Sequence, residues 1–99
     1  MQIKIQSIHF DADKVLLEFI QKKLDKLGHY YDGIMGGEVF LRLEKADDTQ
    51  NKIAEIKIQT RTGELFAKKQ CKTFEEAVTE STDALRIQVK KHKEKVRQV

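Results

Sequence analysis

Apolar and polar residues alternate in four short segments of the chain and recur with a spacing of three or four in two longer ones. Alternation is typical of a strand with one buried face, whereas the longer spacing is typical of a one-sided helix. The first alternating segment is Gln2–Gln6, with Ile3 and Ile5 on its inner side. Asp13 then has the position of an N-cap, and it precedes the helical stripe Leu16, Ile20, Leu24, Leu27 and Tyr31.

Three further strands and a second helix are predicted after this helix. The inward positions of the strands are Val39, Leu41 and Leu43, then Ala54, Ile56 and Ile58, and last Leu65 and Ala67, with Cys71 as a further candidate in the last strand. The polar segment Ala46–Asn51 is the predicted turn between the first two of them. Thr73 and Glu76 have the spacing of a capping box, which marks a helix start. The apolar stripe behind them predicts a helix that runs nearly to the C-terminus, through Phe74, Ala77, Val78, Ser81 and Leu85.

The predicted order β-α-β-β-β-α defines an α+β two-layer sandwich. Because each helix has one apolar side, we expect both helices to cover the same face of a four-stranded sheet. The first connection should be a right-handed crossover, and the three later strands should form an antiparallel meander. The other face of the sheet would be polar with two aromatic residues among the charges: Lys4, Arg42, Glu44, Glu55, Lys57, Gln59 and Lys68, with Phe40 and Phe66.

Composition narrows the class of protein. The chain has 99 residues, of which 39% are hydrophobic, so we expect one modest core and a single domain over residues 1–99. No apolar run approaches the roughly 18 residues of a membrane span, and the N-terminus has no apolar signal segment. The single cysteine, Cys71, cannot form an internal disulfide. We therefore expect a protein of the reducing cytoplasm that makes no membrane contact.

The charges are unevenly distributed although the net charge is only +3. Residues 85–99 contain six lysines and arginines against one acid, while acids concentrate near residues 47–48 and 75–83. At about 100° per residue, four cations form one row on the second helix: Arg86, Lys90, Lys93 and Arg97. Each like-charged pair in such a row costs roughly 0.2–0.5 kcal/mol, and binding to a polyanion would offset that cost. A solvated, lysine-rich helix end is the alternative.

The first helix has a weaker basic flank. Lys22, Lys23 and Lys26 lie beside its apolar stripe, with His29 beyond them. If the helices lie side by side on the sheet, their basic flanks would face one nucleic-acid backbone. Alternatively, Lys23 and Lys26 only cover the edge of the core with their aliphatic stems.

Neither a metal site nor a catalytic site is predicted. His9, His29 and His92 lack the mutual spacing and the cysteine partners of a metal site. The sequence contains no nucleophile–base arrangement and no phosphate-binding glycine loop, so we expect no cofactor and no enzymatic activity. Tyr30 and Tyr31 are interpreted as core residues. For His92, packing at the end of the sheet and contact with RNA both remain open.

Three segments carry a more specific pattern: KLDKL at residues 23–27 followed by YYD at 30–32, LRLEK at 41–45, and KHKEK at 91–95. They resemble the ribosome hibernation-promoting factor family, also called the ribosome-associated inhibitor, protein Y or sigma-54 modulation protein family. KHKEK is the most specific of the three, because it lies in the tail of the second helix, at the position that the family pattern requires. The resemblance implies a fold like that of a double-stranded-RNA-binding domain. It also implies phosphate-contacting residues at Lys23, Lys26, Arg86, Lys90, Lys91, Lys93 and Lys95, to which the row on the second helix adds Arg97.

The resemblance further implies a bacterial, cytoplasmic protein that binds the small ribosomal subunit and its ribosomal RNA. It would occupy the space of messenger and transfer RNA at the decoding region and so inhibit translation under stress or in stationary phase. Ribosomal proteins and a separate ribosome-dimerising factor are the other expected partners. The chain ends at Val99, without the linker and second domain of the long family form, so we expect the short hibernation-promoting type.

Two other functions remain as alternatives. Phe40 and Phe66 on an open sheet face, with lysines nearby, are the kind of residues that stack single-stranded RNA bases. The element order differs from that of an RNA-recognition motif, which weakens the hypothesis of single-stranded RNA binding. The other alternative is a protein-binding domain that modulates a sigma factor through acidic patches, and only the older family name favours it.

Overall fold

The computed structural model describes residues 2–44 and 49–97, with their side chains up to Lys95. Within this part of the chain the elements follow the predicted order: β1 (Gln2–Ile8), α1 (Lys14–Tyr30), β2 (Ile34–Leu43), β3 (Lys52–Thr60), β4 (Gly63–Cys71) and α2 (Phe74–Arg97). The turn predicted at residues 46–51 lies partly outside the described residues, as do the acids Asp47 and Asp48. No helix in the described ranges is long and apolar enough to cross a membrane.

The strands lie side by side in the order β1-β2-β3-β4. β1 is parallel to β2, and the other two pairs are antiparallel. One row of inward side chains crosses the whole sheet, because Ile5 lies opposite Val39, Val39 opposite Ile56, and Ile56 opposite Ala67. A parallel pair requires a long crossover, and α1 provides it. The predicted antiparallel meander of the three later strands is therefore confirmed, as is the crossover that follows the first strand.

The start of α1 is fixed by Asp13. Its Oδ1 accepts a hydrogen bond of 2.8 Å from the Leu16 backbone N–H, one of the first-turn donors that have no partner within a helix. The inner side of α1 is buried as predicted, with Ile20 and Leu24 fully inaccessible. The helix ends at Tyr30, and Tyr31 is its extended C-cap rather than its last helical residue.

The start of α2 is fixed in the same way by Thr73, whose hydroxyl accepts a 3.1 Å hydrogen bond from the Glu76 backbone N–H. Its inner side chains form one hydrophobic cluster with those of α1 and of the sheet. Both helices therefore cover the same face, which confirms the two-layer α+β sandwich. Among the side chains of α2 up to Lys95, the buried ones are Ala77, Val78, Ser81, Thr82, Leu85 and Val89.

The two helices run parallel to each other. At one end of the molecule, Phe10, just before α1, stacks on Phe74, the first residue of α2, with ring centroids 4.9 Å apart. Near the other end, the Lys93 ammonium donates a 3.3 Å hydrogen bond to the carbonyl of Tyr30, the last residue of α1. The N-termini of both helices consequently share one end of the molecule, and their C-terminal turns share the other.

The face of the sheet away from the helices is less polar than the sequence suggested. Arg42 Nη2 and Lys68 Nζ lie 3.0 Å and 3.6 Å from the same Glu55 oxygen. Ile53 lies two residues before Glu55 in β3, so it shares this face, and it is fully buried. Phe66 is 48% exposed there. The face thus combines paired charges with one buried and one exposed apolar side chain, Ile53 and Phe66.

We predict that Leu24→Ala destabilises the fold by about 2–5 kcal/mol, because it removes a fully buried side chain between α1 and the sheet. Val15→Ala is the matched control, since Val15 lies on the same helix with 75% exposure and should change the free energy of unfolding by less than about 0.5 kcal/mol. Urea denaturation followed by circular dichroism measures both. Equal effects of the two substitutions would show that α1 does not bury this side.

Candidate nucleic-acid interface

The predicted row of cations on α2 faces α1. We call Arg86, Lys90, Lys93 and Arg97 the basic ridge; the side chain of Arg97 lies outside the described residues. The guanidinium carbon of Arg86 is 5.8 Å from the ring centroid of Tyr30, and the Lys93 nitrogen is 4.9 Å from it. Because Tyr30 belongs to α1, these contacts fix the ridge on the flank of α2 next to the first helix.

Tyr30 joins the two helices at this end of the molecule. It was interpreted from the sequence as a core residue, but it is 36% exposed and lies between two cations. Its backbone carbonyl accepts the hydrogen bond from Lys93. The last carbonyls of a helix lack intrahelical partners and carry a partial negative charge, so the ammonium stabilises the end of α1. The Tyr30 ring in turn holds two ridge cations near each other without neutralising them.

An interhelical groove of about 140 Å³ brings cations of both helices together. Lys23 and Lys26 of α1 line it together with Arg86 of α2. Lys26 is exposed and Lys23 is half-buried, with the Lys23 nitrogen 5.5 Å from the Phe19 ring centroid. Lys23 therefore both covers apolar surface and presents its charge at the groove. The remaining lining residues are Leu27, Tyr30, Thr82 and Asp83.

Lys91 and Lys95 are placed differently from the other predicted site residues. Each is two positions from Lys93, so each lies about 160° around the helix from it. The flank they occupy is the one next to β4, where the Gln88 side-chain amide donates a 2.9 Å hydrogen bond to the Phe66 carbonyl. Both lysines are exposed. A ligand that contacts all the predicted cations would have to surround the last turns of α2.

The cations of this region carry uncompensated charge. Within residues 2–44 and 49–95, no carboxylate oxygen lies within 4.0 Å of the charged nitrogens of the seven described site residues. Asp83 lines the groove, yet it forms no ion pair with Arg86 or Lys23. Uncompensated, exposed cations in a row are what a phosphate backbone neutralises.

His92 packs against the end of the sheet, which was one of its two predicted roles. Its Nε2 lies 2.7 Å from the Thr62 hydroxyl and 3.4 Å from that of Thr60, both at the β3–β4 turn. The Tyr31 ring meets the imidazole edge-on at 5.9 Å. These contacts hold the turn of α2 that carries Lys91 and Lys93, so His92 positions the cations on either side of it.

The open sheet face is a weaker candidate for RNA. Phe66 is exposed and Lys57 lies directly opposite it across β3 and β4, as base stacking would need. Arg42 and Lys68, however, are both paired with Glu55. The cations on this face are therefore partly neutralised by the protein itself, unlike those of the basic ridge.

The remaining reactive side chain, Cys71, is buried in β4. Its thiol donates a 2.6 Å hydrogen bond to Glu80 Oε2. Burial, with the Glu80 hydrogen bond and charge as further causes, raises the pKa of the thiol to about 11. A thiol in this environment is a poor nucleophile at neutral pH.

Across the described ranges, no group of three His, Cys, Asp or Glu side chains is placed to hold a metal ion.

Comparison with known proteins gives a consistent result. The family model described as "Sigma 54 modulation protein / S30EA ribosomal protein" matches residues 3–97. The chain is 30% identical over 95 residues to the ribosome hibernation promoting factor of Pseudomonas putida, covering 96% of this chain and 89% of that protein. It is also 30% identical over 98 residues to the factor of the same name from Escherichia coli K12, covering 99% of each.

Two solved structures resemble the fold closely. A ribosomal subunit interface protein from Coxiella burnetii has a TM-score of 0.84 at 20% identity, over 94% of this chain and 98% of that chain. The N-terminal domain of protein Y from Thermus thermophilus has a TM-score of 0.81 at 25% identity, over 93% and 99%. The resemblance drawn from the three sequence segments is confirmed.

We predict that Cys71 reacts slowly with iodoacetamide at pH 7–9 in the folded protein, because only the thiolate attacks and its pKa is raised to about 11. The rate should keep rising up to about pH 11, whereas the rate for the same protein unfolded in urea should level off near pH 9. Since the folded state disfavours the thiolate, stability should fall as pH rises from about 9 towards 11. Equal pH profiles for the folded and the unfolded protein would contradict the raised pKa.

Proposed function

The chain belongs to the sigma 54 modulation protein / S30EA ribosomal protein family, and from that membership we propose that it is a ribosome hibernation factor. In this proposal it binds the small ribosomal subunit through the basic ridge and the interhelical groove. The observation that carries the proposal is the set of uncompensated cations that two helices bring to one flank around Tyr30.

The names and coverage of the relatives support the same function. Two relatives matched over nearly their whole length are ribosome hibernation promoting factors, and a chain of the same fold is a ribosomal subunit interface protein. In all of them the match includes most of α1 and α2 of this chain. We therefore treat residues 1–99 as one ribosome-binding domain of a bacterial, cytoplasmic protein.

The chemistry of the ridge fits the backbone of ribosomal RNA rather than its bases. Lysine ammonium and arginine guanidinium groups on neighbouring turns form a row of cations that matches successive phosphates, and phosphate contacts carry no sequence information. Around the last turns of α2, Lys91 and Lys95 extend the positive surface to the opposite flank. We propose that this end of the molecule enters a cleft lined by RNA at the decoding region, where it excludes messenger and transfer RNA. Binding alone produces the inhibition, and no catalytic step is required.

Single-stranded RNA binding on the open sheet face is the second candidate, because Phe66 is exposed next to Lys57. The ion pairs of Glu55 with Arg42 and Lys68 weaken it. Cosedimentation with purified small subunits, compared with binding to free single-stranded RNA and to free sigma factor, separates the proposed function from both alternatives.

We predict that replacing Arg86, Lys90, Lys93 and Arg97 with glutamate abolishes cosedimentation with small subunits. Even a charge-neutral loss of about 1 kcal/mol at each of the four positions would weaken binding on the order of a thousandfold, and charge reversal adds repulsion. Circular dichroism should remain native, because none of the three ridge side chains that the structure describes is in the core.

The matched control reverses four exposed lysines elsewhere, Lys4, Lys14, Lys69 and Lys72, and so changes the net charge by the same amount. It should retain most of the affinity. Equal losses in the two variants would attribute binding to net charge, and unchanged binding of the ridge variant with a native spectrum would refute the proposed surface.

We predict a steep salt dependence with little preference for RNA sequence. With about six phosphates neutralised, the affinity should fall by roughly three decades between 50 and 200 mM salt. Replacing Arg86, Lys90 and Lys93 with glutamine should lower the slope of log affinity against log salt by about three. A flat salt response in a filter-binding titration would indicate a protein–protein contact instead.

A further inference from the structure

A second concave surface lies at the opposite end of the helices, where α1 and α2 both begin. We call it the aromatic pocket. Its floor contains the stacked rings of Phe10 and Phe74, whose planes differ by 10°, with Leu16 and Phe19 beside them. Its volume is about 340 Å³, within the roughly 300–1,000 Å³ typical of ligand sites.

The pocket leaves apolar surface in contact with solvent. Phe10, Phe19 and Phe74 pack on the core but are only partly buried. Val15, at the edge of the pocket, is 75% exposed. Solvent-exposed apolar surface of this kind, bordered by polar residues, is typical of a contact site for a protein partner.

The border of the pocket is acidic. Asp11, Asp13 and Glu75 line it, and no lysine or arginine does so among the described residues. Asp13 uses Oδ1 to cap α1. Asp11 and Glu75 are exposed and form no ion pair within the described ranges. Lys14, the basic residue nearest in sequence, lies 4.0 Å from Glu18 instead.

We propose that the aromatic pocket binds an arginine-containing segment of a ribosomal protein. The assignment of the segment to a ribosomal protein rests on the proposed function. A guanidinium group stacks on an aromatic ring with its face and pairs with carboxylates through the N–H groups in its own plane. One arginine could therefore contact both the aromatic floor and the acidic border. The cluster already accepts a cation on one ring, since the Lys23 ammonium lies over Phe19. The acidic border repels phosphate, so the charge of the pocket favours a basic protein segment over nucleic acid. The protein thus presents RNA-binding and protein-binding surfaces at opposite ends.

The first test uses the isolated protein and defined peptides. A short synthetic peptide of arginine, leucine and glycine should shift the backbone amide NMR signals of residues 10–19 and 74–75. The same peptide with glutamate in place of arginine should not. Asp11→Asn and Glu75→Gln should each weaken binding by about two- to fivefold, whereas Glu94→Gln, at the other end of α2, should leave it unchanged. An absence of NMR shifts would overturn the proposal. So would an equal loss of peptide affinity in the Asp11→Asn, Glu75→Gln and Glu94→Gln variants.

The second test places a benzophenone side chain at position 15 of the full chain, on purified small subunits. A crosslink to a ribosomal protein, lost when arginine peptide is added in excess, supports the proposal. A crosslink to RNA alone, or none while the protein still cosediments, overturns the ribosomal source and leaves the proposed function intact. If the protein does not cosediment, the proposed function fails, and the peptide titration alone then decides whether the pocket binds arginine.

Discussion

Burial of one side of each helix against the sheet is the constraint on which the candidate interface depends. Leu24 of α1, Leu85 of α2 and Ile56 of β3 belong to one hydrophobic cluster and are fully buried. That cluster sets the rotation of each helix about its own axis. Turning α2 by one residue, about 100°, would move its apolar stripe into solvent and bring charged side chains towards the sheet. The direction of the ridge is therefore a consequence of core packing.

Strand order determines the second property of the site, the parallel course of the helices. β1 and β2 are parallel, and two antiparallel steps give β4 the same direction as β2. Each helix follows one of these strands, β1 or β4, and returns along the sheet. Both helices therefore begin at one end of the sheet and finish at the other. Tyr30 and Lys93 meet for this reason, although 63 positions separate them in the chain.

The sequence was sufficient for the fold and for the ridge, because both follow from periodicity. Period-two alternation identified the inward rows of the sheet, and helical spacing placed Arg86, Lys90 and Lys93 on one flank of α2. The capping residues Asp13 and Thr73 were also correctly predicted, because an N-cap is a local interaction.

Features that depend on contacts between distant segments were not predictable in the same way. Tyr30 was interpreted as core because it adjoins the apolar stripe, but its environment is set by α2. Ile53 was missed because its burial on the open face depends on the neighbouring strands. His92 remained undecided until the β3–β4 turn was seen beside it. Helical spacing alone places Lys91 and Lys95 on a different flank from Lys93, but only the packed structure shows that this flank lies next to β4.

The side-chain charges give the molecule an electrical polarity along its 48 Å axis, opposite in sign to the dipoles of the two parallel helices. Acidic side chains lie where the helices begin, and uncompensated lysines lie where they finish. Near a polyanion, a protein with this charge distribution experiences a torque as well as an attraction. Its lysine-rich end therefore turns towards the polyanion before contact. The benefit is a larger fraction of productive encounters, which raises the association rate more than it lengthens the life of the complex.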